Sequence, residues 1–130
     1  MLFEKTLSTS EAKNLPLRML AHLGDAVFEL YEREREVTTT PNAESMHQKV
    51  VRRVNAESQA RILEGLMEHL LEPEQDIVRR ARNLKLTGNR RADQTSYRYA
   101  TAMEALVGYL YLTDKGRLSE LLDLSLEPKP

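Results

Sequence analysis

Apolar residues recur along this chain with the spacing of a helix rather than that of a strand. Between residues 16 and 35 they fall three or four positions apart, which places them on one face of an amphipathic helix. Pro16 precedes this stripe and suits the first turn of a helix. The pattern therefore predicts a long helix over 16–35, with an apolar face made of Leu17, Leu20, Ala21, Gly24, Val27, Phe28 and Tyr31.

The rest of the chain carries start and stop signals for several more helices. Pro41, Asn55 and Pro73 are residue types that open helices, and they predict helices to about residues 53, 71 and 83. A loop centred on Gly88 leads to a second long helix over 94–114, and Gly116 is expected to separate it from a last helix over 118–124. The apolar face of the second long helix includes Tyr97, Thr101, Glu104, Ala105, Gly108, Tyr111 and Leu112.

The composition supports an all-α fold of about six to seven helices. Among the 130 residues, Leu, Ala and Met number 37 whereas Val and Ile number nine, a preference that favours helices over strands. The length fits one domain, which we place at residues 14–125 between an N-terminal tail (1–13) and a C-terminal tail (126–130). The absence of cysteine excludes disulfides, thiolate metal sites and cysteine nucleophiles, so metal ligands would be oxygen or imidazole.

No segment has the length or composition of a membrane span or a signal peptide. The uncharged stretch in the most apolar region runs only from Ala105 to Thr113, against about 20 residues needed to cross a bilayer. Polar residues including Glu4 and Glu11 occupy the N-terminus. We expect no membrane partner and a cytoplasmic location, or the stroma of an organelle in a plastid-bearing source.

The formal net charge of −1 conceals opposite blocks of charge. Residues 47–61 carry four basic and one acidic side chain, residues 62–78 carry five acidic and no basic ones, and residues 79–98 carry seven basic and one acidic. The basic blocks suit the phosphates of a nucleic acid, although a solvated surface is an equal alternative. With no Trp and two Phe, a stacking platform for single strands is poorly supported. The predicted nucleic-acid contacts are Lys49, Arg52, Arg53, Arg79, Arg80, Arg82, Lys85, Arg90 and Arg91.

The two most apolar helices each carry a carboxylate beside the apolar face. Asp25 follows Gly24, and Glu104 lies one turn before Gly108. Because glycine lets helices approach closely, a crossing at these glycines would bring the two carboxylates together, where Mg²⁺ or Mn²⁺ would neutralise them. The alternatives are a local contact within the helix for Asp25, and for Glu104 a partner such as Arg98 or a tyrosine hydroxyl.

These two segments resemble the catalytic helices of the ribonuclease III family. Residues 20–30 read LAHLGDAVFEL, similar to that family's signature helix, and residues 101–112 read TAMEALVGYLYL, similar to its second catalytic helix. The motifs stand in the family's order, about 80 residues apart. The length leaves no room for a double-stranded-RNA-binding domain. In this respect the chain resembles the family's Mini-III subgroup.

The resemblance implies the fold of the ribonuclease III endonuclease domain, a helical bundle. It implies that Asp25 and Glu104 are catalytic residues and metal ligands. Two further carboxylates of full-length family members are replaced here by Ala21 and Thr101. This reduced set is typical of the Mini-III subgroup, and it leaves open how many metal ions bind.

The resemblance also implies an activity and partners. The implied activity is that of a Mg²⁺-dependent endoribonuclease, for which Mn²⁺ can substitute. Such an enzyme cleaves double-stranded or structured RNA and matures the large-subunit (23S) ribosomal RNA precursor. The resemblance further implies a homodimer, for which we predict Val27, Phe28 and Tyr31 as interface residues, with ordinary core positions as an equal alternative for each. It also suggests that a ribosomal protein stimulates the activity. The alternatives are a noncatalytic RNA-binding or ribosome-associated module on the same fold, and a helical protein-interaction domain without an RNA role.

Overall fold

A computed structural model describes residues 6–85 and 94–126, which form seven α-helices and no strand. The all-α prediction is therefore confirmed. A single 3₁₀ turn, Met67–His69, continues the fourth helix. In chain order the helices are α1 (Thr9–Lys13), α2 (Leu17–Val37), α3 (Ala43–Val54), α4 (Ala56–Leu66), α5 (Glu72–Arg82), α6 (Gln94–Thr113) and α7 (Lys115–Leu124).

Short polar side chains fix several of the helix boundaries. The Asn42 side chain accepts a hydrogen bond from the Ser45 amide at the start of α3. Asn55 both ends α3, donating to the carbonyls of its last turn, and begins α4, accepting from the Ser58 amide. Asp114 caps α7 by accepting from the Arg117 amide. The expected break at Gly116 is therefore wrong, since the chain turns at Asp114 and Gly116 lies in the first turn of α7.

Part of the segment predicted as an N-terminal tail belongs to the folded domain. Ser8 and Glu11 form a reciprocal capping box that starts α1. The Leu7 amide donates to the Leu112 carbonyl at 2.7 Å, and Ala12 is fully buried. This part of the predicted tail thus packs on the end of α6, while the expected boundary at residue 14 stays a prediction.

Helix α6 is the central element, and the other helices surround it. Helices α2, α4 and α5 pack against it most extensively, α3 packs on α2, and α7 packs on the end of α6. Nearly every side chain of α6 between Ala100 and Leu110 is buried, so this helix is apolar on all faces, unlike α2. The largest fully buried apolar side chains in the described core are Leu20, Phe28, Leu63, Ile77, Met103, Leu106 and Leu121.

Two buried ion-pair clusters join the outer helices. Glu32 on α2 is completely buried and accepts hydrogen bonds from Arg35 at 2.7 Å and from Arg53 on α3 at 3.1 Å. Glu74 on α5 makes a two-pronged pair with Arg117 on α7, at 2.8 and 3.0 Å. Paired in this way, the two carboxylates avoid the large cost of an isolated buried charge.

None of the helices in the described part of the chain is both long enough and apolar enough to cross a membrane.

Candidate active site

Helices α2 and α6 cross at two glycines, and their backbones touch. A Cβ atom added to Gly24 would lie 1.7 Å from the Glu104 carbonyl oxygen, and one added to Gly108 would lie 2.0 Å from the Leu20 carbonyl oxygen. Real side chains do not tolerate such distances, so only glycine fits at either position. The close crossing predicted from the sequence is present.

The crossing brings Asp25 and Glu104 into hydrogen-bonding contact. Asp25 is exposed, whereas Glu104 is partly buried. Burial raises the pKa of Glu104 to about 8, aided by the hydrogen bond with Asp25 and by the charge of Asp25. At neutral pH Glu104 therefore retains a proton, chiefly because burial disfavours its charged form.

One further side chain reaches this pair from α4. The Gln59 amide nitrogen donates to the Val54 carbonyl at 2.9 Å and lies 3.5 Å from Oε2 of Glu104. This contact lowers the pKa of Glu104, opposing the effect of Asp25. Gln59 is 2% exposed, and its Oε1 is buried without a hydrogen-bond partner among the described residues.

The donor set suits one small, hard cation with few protein ligands. Mg²⁺ is typically held by one or two carboxylates, with water and substrate phosphates completing its shell. No group of three or more His, Asp or Glu side chains suited to a metal occurs among the described residues. The two positions where full-length family members carry carboxylates supply none here: Ala21 is buried, and the Thr101 hydroxyl donates to the Tyr97 carbonyl at 2.9 Å.

The site lies outside the main grooves found in the described part of the chain. Two open grooves of about 680 and 950 Å³ run beside α4, and both include Arg61, Glu64 and Met67. Neither is lined by Asp25 or Glu104. The carboxylate pair instead sits at the helix crossing with Asp25 open to solvent, where an extended substrate could reach it.

The predicted RNA contacts differ in how far they are already engaged within the protein. Arg52 and Lys85 are exposed, and their side chains form no ion pair with any described residue. Lys49 lies 3.9 Å from Glu36, a long ion pair that a phosphate could replace. Arg90 and Arg91 lie outside the described residues.

The other predicted arginines have internal partners. Arg53 binds the buried Glu32 and the Ser125 hydroxyl, so its charge is largely neutralised. Arg79 and Arg80 both pair with one carboxylate, that of Asp76. Arg82 stacks over the Tyr99 ring at 5.6 Å. Binding RNA through these four side chains would require exchanging existing contacts.

The three residues predicted for the dimer interface face mainly the core of their own protomer. Phe28 is fully buried in its own protomer, so it cannot form an intersubunit contact, and that prediction is wrong. Val27 and Tyr31 are partly buried against the same core, and Tyr31 also donates to Asp123 at 3.3 Å. The solvent side of α2 instead presents Met19 and Leu30, 61% and 46% exposed.

Sequence reasoning missed Gln59 and the buried Glu32, although both leave a readable signal. Glu32 follows Phe28 by four positions and so falls on the apolar face of α2. Gln59 precedes Leu63 by four positions on the buried face of α4. A polar residue that interrupts an apolar stripe is costly unless it has a partner, which marks such positions for attention.

Comparison with known proteins agrees with this geometry. The sequence model of the ribonuclease III domain family matches residues 18–115 of this chain. Among curated proteins, the Mini-ribonuclease 3 of Synechocystis sp. is 43% identical over 126 residues, covering 95% of this chain and 88% of that protein. The Mini-ribonuclease 3 of Thermosynechococcus vestitus is 44% identical over 116 residues, covering 89% and 77%.

A solved structure shares the fold. The crystal structure of a protein from Fusobacterium nucleatum aligns with a TM-score of 0.80 at 29% sequence identity, covering 89% of this chain and 97% of that one. The expected helical bundle is thereby confirmed. The motif resemblance, the crossing of α2 and α6 and these matches agree that the chain belongs to the ribonuclease III family.

Proposed function

We propose that this endoribonuclease requires a divalent cation, Mg²⁺ or Mn²⁺, held by Asp25 and Glu104, and that it cleaves double-stranded or structured RNA. The contact between these two carboxylates at the crossing of α2 and α6 carries the proposal. Two adjacent carboxylates, one of which holds a proton at neutral pH, gain from a cation that neutralises both. Family membership supports metal dependence in general terms.

The chemistry is hydrolysis of an RNA phosphodiester. A water oxygen bonds to phosphorus and gives up a proton, the bond between phosphorus and the departing ribose oxygen breaks, and that oxygen takes up a proton. When bound, the cation supplies an activated water and stabilises the charge that develops on the phosphate oxygens. Asp25 and Glu104 would hold the cation, and the contact between their two helix backbones keeps the two ligands near each other before RNA arrives.

For RNA binding we place most weight on Arg52 and Lys85 among the described residues. Both are exposed and without a carboxylate partner there, so phosphate contacts would cost no existing ion pair. Lys49, Arg79, Arg80 and Arg82 form a second tier, and Arg53 is the least available. Arg90 and Arg91 remain predictions from the sequence alone.

We propose a homodimer formed through the solvent side of α2. Met19, Ala26 and Leu30 are exposed at positions seven and four residues apart, on one side of the helix. An exposed apolar stripe of this kind is typical of a subunit interface. Members of the family typically act as dimers, which supports the same reading.

The finer expectations rest on the family resemblance. They are maturation of the large-subunit ribosomal RNA precursor, stimulation by a ribosomal protein and a cytoplasmic location. The best candidate from another class is a noncatalytic RNA-binding module on the same fold.

A cleavage assay with matched variants tests the proposal. The parent protein is incubated with a double-stranded RNA and Mg²⁺, beside EDTA and single-stranded RNA controls. We expect cleavage of the duplex that EDTA stops, and at least a 100-fold loss in Asp25→Asn and in Glu104→Gln, while both variants still retain RNA in a gel shift. Full cleavage in either variant would refute the site, and binding without cleavage in the parent would favour the noncatalytic module.

The same gel shift tests the RNA surface. Changing Arg52 and Lys85 together to Gln should weaken binding at all RNA sequences and reduce the slope of log affinity against log salt concentration by about one to two. An unchanged slope would show that neither residue touches phosphate. If the parent shows no salt-dependent RNA binding, the alternative of a helical protein-interaction domain without an RNA role would be favoured.

A further inference from the structure

Gln59 is the only side chain of α4 in hydrogen-bonding contact with the carboxylate pair among the described residues. Its Nε2 carries two hydrogens. One is donated to the Val54 carbonyl at 2.9 Å, and the other faces Oε2 of Glu104 at 3.5 Å. The residue therefore links the corner between α3 and α4 to a carboxylate on the central helix.

The burial of Gln59 is hard to explain by packing alone. A buried amide oxygen without a partner costs about 1–3 kcal/mol, a cost that leucine, of similar size, would avoid. Gln59 Oε1 is such an atom among the described residues. A costly polar group retained beside two carboxylates indicates a role in their function rather than in the core.

We propose that Gln59 is a positioning residue of the metal site, which holds the Glu104 carboxylate in the orientation that a divalent cation needs. Groups that hold a ligand commonly change metal affinity by 10- to 100-fold when they are removed. With only two carboxylates in the described site, each ligand's orientation matters more, because no third side chain compensates for a misplaced one. This inference rests on the proposed function, since it concerns the same metal site.

The chain offers a close control for the purely structural alternative. Gln75 on α5 donates its side-chain amide to the Leu70 carbonyl at 2.9 Å, the same offset of five residues as from Gln59 to Val54. Gln75 does not contact the carboxylate pair. Gln75 is exposed whereas Gln59 is buried, so Gln75→Leu controls for the loss of the local hydrogen bond alone, away from the site.

The test measures Mn²⁺ binding to the RNA-free protein, from the free Mn²⁺ signal in electron paramagnetic resonance. We expect Gln59→Leu to raise the dissociation constant at least 10-fold, and Gln75→Leu to leave it within twofold of the parent. In cleavage assays, Gln59→Leu should raise the half-saturating Mg²⁺ concentration by a similar factor, with much of the maximal rate recovered at high Mg²⁺. RNA retention without metal should not change.

Several outcomes would overturn the inference. Mn²⁺ affinity within twofold of the parent in a folded Gln59→Leu variant would assign Gln59 to the core. Gln59→Met provides a second, flexible replacement. If both variants lose metal binding only in proportion to their loss of helical circular dichroism, the positioning role of Gln59 would also be refuted. If the parent shows no Mn²⁺ binding that Asp25→Asn abolishes, the proposed metal site itself fails, and the role of Gln59 fails with it.

Discussion

A single methyl group at the crossing of α2 and α6 should damage both the fold and the active site. In an open helix, Gly→Ala stabilises by about 1 kcal/mol, because alanine has the higher helix propensity. At Gly24 the new Cβ would lie 1.7 Å from the Glu104 carbonyl oxygen, whereas ordinary contacts begin near 3.4 Å. The helices would have to separate by between 1 and 2 Å, and the obstacle is backbone, which cannot rotate away.

The size of the effect follows from these opposing contributions. Overpacking of a core costs about 1–3 kcal/mol and occasionally more, and a clash with backbone belongs at the upper end. After the gain in helix propensity, we expect Gly24→Ala to lose about 2 kcal/mol or more. For a domain of this size that corresponds to a fall in melting temperature of about 6 °C or more.

The assay is urea unfolding followed by circular dichroism, at one fixed protein concentration. Gly116→Ala is the matched control, since its new Cβ would meet Asp114 at 3.5 Å, an ordinary contact. We expect that control to match or exceed the parent in stability, and Gly108→Ala to behave like Gly24→Ala. Stability of Gly24→Ala equal to or above the parent would refute the close crossing, and with it the reason that Asp25 meets Glu104.

Three further predictions concern other features of the structure. Arg117→Ala should lower the free energy of unfolding by about 3 kcal/mol or more, because it leaves the Glu74 side chain, which is 4% exposed, without its partner. Glu120→Ala removes an exposed partner of the same arginine and should lower it by less than about 1 kcal/mol. Equal urea midpoints for the two variants would contradict this prediction. The raised pKa of Glu104 means that the folded, metal-free protein holds a proton that the unfolded chain releases at lower pH. The contribution of Glu104 to stability in EDTA should therefore be fully present below about pH 4.5 and be lost as the pH rises through 8. Glu104→Gln should remove that fall, and a slope that persists in the variant would assign it to another group. Leu30→Glu should give monomers in sedimentation velocity while Val51→Glu, an equally exposed position on α3, should not, and an unchanged oligomer in Leu30→Glu would exclude the α2 stripe as the interface.

The elements that the sequence predicted best are those with long apolar stripes. The stripe of α2 continues through about four turns, enough for its period to be unambiguous, and α6 was placed within one residue at each end. By contrast, α1 has five residues, too few for a period to show. Its start was nevertheless readable, because Ser8 and Glu11 have the spacing of a capping box.

The candidate site was predictable because two features coincided in each motif. A carboxylate beside a glycine in an apolar helix pointed to a close crossing, and the structure contains that crossing. The contribution of Gln59 could not be read in the same way, because an amide on a buried stripe has many possible partners and only the three-dimensional packing selects one. The same limit explains the misplacement of Phe28: a stripe shows that a face is buried, but not whether its own chain or a partner covers it.

The placement of Asp25 and Glu104 on the two central helices also determines how cation binding will be detected. Loops that carry ligands can open locally, and binding then registers only as local protection. Here the two backbones that carry the carboxylates are in contact, and they separate only if α2 leaves α6, which means unfolding the domain. Every increment of cation affinity should therefore be transmitted in full to global stability, as RT ln(1 + [cation]/Kd). The melting curve of this small protein can thus serve as a direct measure of how tightly the proposed site holds a metal.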